Sequence, residues 1–144
     1  MPRRDLYHGS VKNALIKDGW SITHDPLVLG DFELRVYPDL GAEKNVADRG
    51  GRTLAIEIKV FGEIGQLSEL QKAIGQYILY RSILRRREST RLPYLAIPLD
   101  ILAIPSDIYR GLFQKKIIQN LMQDEGIRLI VFNPFPEVIE QWID

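Results

Sequence analysis

The sequence predicts a mixed α/β fold in which helices cover both faces of one β-sheet. Apolar residues recur at helical spacing in some segments, and in alternating or continuous runs bounded by Gly and Pro in others. The predicted segments begin as a strand meander and then alternate strand with helix, which combines antiparallel and parallel pairing in one sheet. With 144 residues, 45% of them apolar, we expect residues 1–144 to form a single domain.

Turn and cap residues separate the predicted elements. Gly19 and Gly126 end helices, Ser106 can cap one, and Gly50 with Gly51 is a two-residue hairpin signal. The predicted elements are, in order, a helix at 5–18, strands at 20–24, 32–37 and 53–61, a helix at 68–87, a strand at 94–97, a helix at 107–123, a strand at 127–132 and a helix at 137–143.

The composition excludes several classes of function. The absence of cysteine excludes disulfides, a thiolate nucleophile and cysteine-ligated metal sites. Because no apolar run reaches the roughly 18 residues that span a bilayer, we expect a cytoplasmic protein without membrane contact. Nineteen Lys and Arg balance nineteen Asp and Glu, so the net charge by itself does not indicate a polyanionic partner.

A strand of alternating polarity carries the first candidate chemistry. Residues 55–60 read Ala-Ile-Glu-Ile-Lys-Val, which places Glu57 and Lys59 on one face, and Pro38 and Asp39 lie on the arm that folds back toward them. Two carboxylates are hard oxygen ligands for Mg²⁺, and a lysine beside them offsets charge or positions water in phosphodiester hydrolysis. The alternative is a solvated strand face, on which exposed charges contribute little.

The next helix supplies two further polar residues. At 100° per residue, Gln76 lies roughly 130° and Tyr80 roughly 90° from the mean direction of the predicted apolar stripe. The two are one turn apart and share a face. Core packing therefore does not explain Gln76, whereas simple solvent exposure does.

The predicted hairpin conflicts with this grouping. A two-residue turn at Gly50 and Gly51 would pair Lys44 with Glu57, and strict alternation would then place Asp39 on the opposite face. A β-bulge at Gly41 would re-aim the strand and restore the pair.

These residues carry a resemblance to known proteins. Pro38-Asp39, Glu57-Ile58-Lys59 and Gln76-x-x-x-Tyr80 resemble the PD-(D/E)xK nuclease superfamily, which has a restriction-endonuclease-like fold with an α-β-β-β-α-β core, here followed by α-β-α. More specifically, the chain resembles the XisH family of cyanobacterial fdxN element excision controlling factors. The runs that carry this likeness span 14–26, 39–44, 56–59 and 73–77, together with His8.

The resemblance implies a DNA-acting controlling factor for programmed excision of a DNA element, with a candidate Mg²⁺-dependent endonuclease site. In that interpretation Asp39 and Glu57 bind Mg²⁺, Lys59 assists the attacking water, and Gln76 with Tyr80 supports the site or the scissile phosphate. It also implies DNA, a small XisI-type protein and a separate site-specific recombinase as partners, and it leaves self-association open.

A basic segment follows on the same helix. Arg81, Arg85, Arg86 and Arg87 could hold DNA phosphates, or could simply favour the negative end of the helix dipole.

The alternative function is a non-catalytic protein that binds DNA or a partner on a nuclease-like scaffold. Its motivation is the first helix, which offers only Asp5 and Asp18 where many nucleases of this superfamily place a glutamate.

Overall fold

The computed structural model describes residues 3–46, 50–61, 65–88, 90–99 and 111–144. The helices are α1 (Arg3–Lys17), α2 (Gln66–Arg87) and α3 (Lys116–Glu125), and a short 3₁₀ turn covers Leu112–Gln114. The strands are β1 (Ser21–His24), β2 (Leu29–Gly30), β3 (Arg35–Val36), β4 (Leu40–Val46), β5 (Gly50–Ile58), β6 (Arg91–Pro98), β7 (Leu129–Asn133) and β8 (Val138–Ile143).

Six of these strands form one mixed sheet in the order β1-β4-β5-β6-β7-β8. The pairs β1–β4, β4–β5 and β7–β8 are antiparallel, whereas β5–β6 and β6–β7 are parallel. The mixed sheet expected from the element order is therefore confirmed. No helix among the described residues is long and apolar enough to cross a membrane.

Two apolar layers cover the two faces of the sheet. On one face, Val11 and Leu15 of α1 pack against Ile56 and its neighbours on β5 and β7. On the other, α2 and α3 pack over Ala55, Leu95 and their neighbours. Because side chains alternate along a strand, β5 sends Ile56 toward α1 and its odd-numbered residues toward α2.

The predicted strand at 32–37 is wrong as a member of the main sheet. β2 and β3 form a separate two-stranded ribbon, in which Leu29 pairs with Val36 and Gly30 with Arg35. The strand beside β1 is instead β4. Phe32 is 89% exposed, so the apolar alternation of this segment does not mark a buried face.

The predicted C-terminal helix at 137–143 is also wrong, because β8 occupies these residues. A register shift opposite Val131 and Phe132 leaves one extra residue on β8, so that Ile139 and Trp142, three residues apart, both pack against the α1 layer. This bulge gives the strand an apolar spacing that resembles a helix.

The helix predicted at 107–123 is observed as the shorter helix α3 (Lys116–Glu125) within the described residues. α3 begins at Lys116, while Ser106 and the rest of 100–110 lie outside the described residues. Gly126 ends α3 as expected, with φ of 60° and its N–H bonded to carbonyls of the last turn.

Two glycines offer a matched test of the ribbon turn. Gly30 has φ of +105°, and a Cβ there would lie 2.1 Å from the carbonyl oxygen of Leu34, whereas a Cβ on Gly75 of α2 would meet nothing within 4 Å. We expect Gly30→Ala to lower the free energy of unfolding by more than ~1 kcal/mol. Gly75→Ala should raise it by about 0.5–1 kcal/mol, because alanine is the better helix former. Urea denaturation measures both, and equal effects would contradict the turn described.

Candidate functional site

The register of the β4–β5 hairpin determines the site. The predicted turn at Gly50 and Gly51 is wrong: Lys44 pairs with Arg52, whereas that turn would have paired it with Glu57, five residues later. The two strands are joined through residues 47–49, which lie outside the described part of the chain. An odd shift exchanges the two faces of a strand. Asp39, just before β4, therefore comes beside Glu57 without any irregularity.

The bulge expected at Gly41 is accordingly wrong, since Gly41 pairs regularly with Ala55. This glycine meets a different requirement. A Cβ at Gly41 would lie 3.1 Å from the ring of His24 and 3.3 Å from the Arg91 guanidinium. The small residue allows β1 and the buried Arg91 to approach β4.

Asp39 is held by the backbone of the opposite strand. Its side chain is 4% exposed, and its Oδ2 accepts a hydrogen bond of 2.8 Å from the N–H of Ile58. The carbonyl of Pro38 accepts the N–H of Leu27 at 3.0 Å, which fixes the preceding residue as well. A buried carboxylate is thus oriented before any ligand arrives.

Glu57 lies on the α2 side of β5 and has three polar neighbours. Tyr80 donates a hydrogen bond of 2.9 Å to its Oε1, and the Lys59 ammonium is 3.7 Å from its Oε2. Burial, followed by the nearby charge of Asp39, raises the pKa of Glu57 from 4.5 to about 7, against the opposing effects of Lys59 and Tyr80. Two carboxylates in one buried position favour a bound proton or a cation.

An open cleft of about 840 Å³ borders this cluster. Gln76 lines it, and its Oε1 is buried without a hydrogen-bond partner. Such an acceptor is rare in a folded protein, and it fits a donor that a ligand or its water would supply. The other lining residues are Val36, Tyr37, Glu57, Ile58, Lys59, Val60, Glu69, Leu79 and Tyr80.

Of the sequence-predicted site residues, Asp39, Lys59 and Tyr80 each lie against Glu57. Gln76 lines the same cleft as Glu57, Lys59 and Tyr80. The apolar spacing of α2 predicts that Leu67 belongs to the buried stripe, whose mean direction lies roughly 90° from Tyr80. In the structure Leu67 is 57% exposed and Tyr80 is 5% exposed, so the buried face of the helix is turned toward Tyr80.

Glu69 also lines the cleft and was not predicted as a site residue. It lies two turns before Gln76 on the same helix face, and this spacing could have revealed it. Its carboxylate is 3.9 Å from the Lys72 ammonium.

The donor set fits Mg²⁺ better than a cation that needs an all-protein cage. Within the described part of the chain, no group of three His, Cys, Asp or Glu residues is placed to hold a metal. Asp39 and Glu57 supply two carboxylates, and Gln76 adds an unpartnered amide oxygen to the cleft. Mg²⁺ is commonly bound by one or two carboxylates together with waters and substrate phosphates.

The arginines predicted to contact DNA divide into two groups. Arg81 donates to the Glu125 carbonyl and lies over the Tyr77 ring, and Arg87 forms an ion pair of 3.0 Å with Asp31. These two are engaged within the fold. Arg85 and Arg86 are exposed on the last turns of α2.

The raised pKa of Glu57 predicts a pH-dependent stability. Between 4.5 and about 7 the folded protein keeps a proton that the unfolded chain has released, so the free energy of unfolding falls as pH rises through this window. Glu57→Gln removes this dependence. We expect the free energy of unfolding of this variant to exceed that of the wild type by on the order of 1–3 kcal/mol at pH 8, and not to exceed it below pH 4.5. Urea denaturation without divalent cations measures the difference. Glu43→Gln, at an exposed position of β4, should follow the wild type, and a Glu57→Gln curve parallel to the wild type would contradict the assignment.

Comparison with known proteins identifies relatives of this chain. The family described as XisH protein matches residues 1–140. A crystal structure of an XisH family protein from Nostoc punctiforme is 35% identical, with a TM-score of 0.81, and covers 97% of this chain and 100% of its own. An fdxN element excision controlling factor protein from Anabaena variabilis is 34% identical, also with a TM-score of 0.81, and covers 98% of this chain and 100% of its own. Curated proteins give no match. The chain belongs to the XisH family.

Proposed function

We propose that this protein is a Mg²⁺-dependent endonuclease of the PD-(D/E)xK type that acts as a controlling factor in excision of a DNA element. One observation carries the proposal: Asp39 and Lys59 both lie beside Glu57, and Glu57 and Lys59 line an open cleft. Ordinary core packing does not require two carboxylates to be buried side by side, and the raised pKa of Glu57 shows the cost of doing so, whereas a site for a divalent cation uses such a pair.

The fold and the relatives support this proposal. A mixed sheet covered by helices on both faces, with the acidic pair on the β4–β5 hairpin and a polar helix after it, has the order of a restriction-endonuclease-like core. The protein from Anabaena variabilis is described as an excision controlling factor. The same context suggests a small XisI-type protein and a site-specific recombinase as partners.

The acidic pair would hold the metal with side chains that the fold already orients by hydrogen bonds. The Ile58 N–H orients Asp39, and the Tyr80 hydroxyl holds Oε1 of Glu57. Mg²⁺, when bound by these carboxylates, would act as a Lewis acid on a phosphate oxygen and lower the pKa of an attacking water. Because the pKa of Glu57 is raised to about 7 and Mg²⁺ needs the ionised carboxylate, binding of Mg²⁺ should strengthen as pH rises through about 7.

Lys59 and Gln76 would act on the water and the phosphate. The ammonium of Lys59 is 19% exposed and 3.7 Å from Glu57, so it can donate to a phosphate oxygen or to the water without leaving its partner. The Oε1 of Gln76, which has no partner among the described residues, would accept a hydrogen bond from the water and orient it, and the amide nitrogen can donate to the phosphate. The exposed Arg85 and Arg86 would bind the flanking backbone.

A second candidate function is a non-catalytic protein that binds DNA or a partner on the same scaffold. The observation that favours it is the absence, within the described ranges, of a third acidic or histidine ligand beside the pair. Asp18, which follows α1, accepts a hydrogen bond from Trp20 and lies 4.0 Å from the Lys44 ammonium. It is therefore engaged elsewhere.

The proposed hydrolysis predicts a specific loss of activity. We expect Lys59→Ala to lower Mg²⁺-dependent cleavage of DNA by ~100-fold or more, because the attacking water and the scissile phosphate lose a cationic donor. Cleavage of fluorescently labelled linear and branched DNA, with Mg²⁺ or Mn²⁺, measures the loss. Lys116→Gln, which changes an exposed lysine at the start of α3, is the matched control.

Calorimetric titration of Mg²⁺ distinguishes the two candidate functions. Heat of binding that disappears in both Asp39→Asn and Glu57→Gln, with cleavage lost in Lys59→Ala, is the expected result. Cleavage that survives Lys59→Ala would reject the hydrolytic role. No cleavage and no Mg²⁺ binding by the folded wild type would leave the non-catalytic function.

A further inference from the structure

The β2–β3 ribbon, defined as residues 27–37, has two different faces. Its inner face is apolar and buried, with Leu27 and Leu29 packed in one cluster with Tyr80 and Leu84 of α2. Four other apolar side chains of the same short ribbon are exposed: Val28, Phe32, Leu34 and Tyr37 are 52%, 89%, 57% and 53% exposed. Several exposed apolar side chains in one short segment mark an interaction site more often than isolated ones do.

The turn that presents Phe32 is braced. The Oδ1 of Asp31 accepts the N–H groups of Glu33 and Leu34 at 2.9 and 3.2 Å, and the Asp31 N–H donates to the Leu34 carbonyl at 2.9 Å. Arg87 of α2 ties the same aspartate by an ion pair of 3.0 Å. Phe32 is therefore held away from the protein by a fixed turn.

The ribbon borders the candidate site. Val36 and Tyr37 line the cleft that contains Glu57. Arg87, which holds the ribbon turn, follows Tyr80 by seven residues on α2, a rise of about 10 Å along the helix. At roughly 3.4 Å per nucleotide of one strand, the rise of about 10 Å between Tyr80, which contacts Glu57, and Arg87, which contacts the ribbon turn, corresponds to about three nucleotides.

In the part of the chain that the structure describes, the ribbon and the adjoining last turns of α2 together carry more unpaired arginine than unpaired carboxylate. Arg35 on β3 and Arg85 with Arg86 on α2 are all exposed. Asp31 pairs with Arg87, and Glu88 pairs with Arg91 at 2.6 Å, so Glu33 is the remaining carboxylate of this surface among the described residues. The unneutralised arginines favour a polyanion as the partner.

We propose that the ribbon turn is a DNA wedge, in which Phe32 inserts where base stacking is already interrupted, at a bulge, nick or branch. This inference rests on the proposed action on DNA. Separating stacked bases costs a few kcal/mol per step, and the cost is smallest where the stack is already broken. Phe32 has no hydrogen-bonding group with which to read base edges, so its insertion selects DNA structure rather than sequence.

The size of the surface argues for DNA over a protein partner. With at most roughly 200 Å² per side chain and 52–89% of each exposed, the four side chains together offer about 500 Å², short of the roughly 800 Å² per partner in a stable protein interface. A turn that exposes Phe32, with Arg87 paired to its Asp31 and Arg35 exposed on β3, instead matches the apolar wedges that enter nucleic acids.

Equilibrium binding of bulged and continuous duplexes tests the wedge. A buffer without divalent cations excludes cleavage, and a 2-aminopurine base beside the bulge reports unstacking. We expect the wild type to prefer the bulged duplex by about tenfold or more and to increase the 2-aminopurine fluorescence. Phe32→Ala should lose both effects. Phe135→Ala, at another phenylalanine that is 57% exposed, should keep both.

The arginine variants give a separate readout. Arg85→Gln combined with Arg86→Gln should weaken binding of both duplexes alike, and each substitution should lower the salt dependence by about 0.9 in slope.

Three results would overturn the wedge: an unchanged preference in Phe32→Ala, no DNA binding by the wild type, or an effect of Phe32→Ala confined to self-association in sedimentation velocity. Binding is measured without cleavage, so the two proposals fail separately. Selective binding through Phe32 without hydrolysis would reject the endonuclease alone, and Lys59-dependent hydrolysis without a role for Phe32 would reject the wedge alone.

Discussion

In the β4–β5 hairpin Leu40 pairs with Ile56, and the residues of the candidate site take their positions from this register. It places Asp39 beside Glu57 on the α2 side of the sheet and sends Ile56 into the opposite apolar layer. A slip of one residue would exchange the two faces of β5. The apolar core and the acidic pair therefore depend on the same pairing.

The acidic pair has an electrostatic cost that its surroundings offset only in part. The Ile58 N–H and the Tyr80 hydroxyl each donate one hydrogen bond, and Lys59 contributes a positive charge at 3.7 Å. The pKa of Glu57 is nevertheless raised to about 7. Strongly shifted pKa values are typical of functional sites, where a bound ligand can offset the electrostatic cost of the charged group. Here a divalent cation has the charge and ligand preference to do so.

Local signals predicted the elements that depend on local periodicity. α1, α2, β6 and β7 match expected segments because their apolar spacing reflects the face they bury, and β1 matches one as well although its residues are mostly exposed. The two elements that were predicted wrongly, the strand at 32–37 and the helix at 137–143, have apolar patterns that do not reflect a buried face of the predicted kind. The spacing of Ile139 and Trp142 comes from a bulge, and the alternation at 32–37 belongs to an exposed ribbon.

The residue types of the site could be predicted from sequence, but their geometry could not. Gly50 and Gly51 are the strongest local turn signal, yet both lie within β5. Register is decided by the burial of a whole strand face, a tertiary constraint that a dipeptide does not report. The orphaned Oε1 of Gln76 likewise depends on how α2 packs over the sheet.

Mn²⁺-induced broadening of amide resonances in NMR spectra would test most directly whether Asp39 and Glu57 form one metal site. Substoichiometric Mn²⁺ should first broaden the amide resonances of residues around the pair, Ile58 and Lys59 above all, and Asp39→Asn should abolish this pattern. Broadening centred instead on the exposed carboxylates of α3, Asp124 and Glu125, and unchanged in Asp39→Asn, would contradict the account.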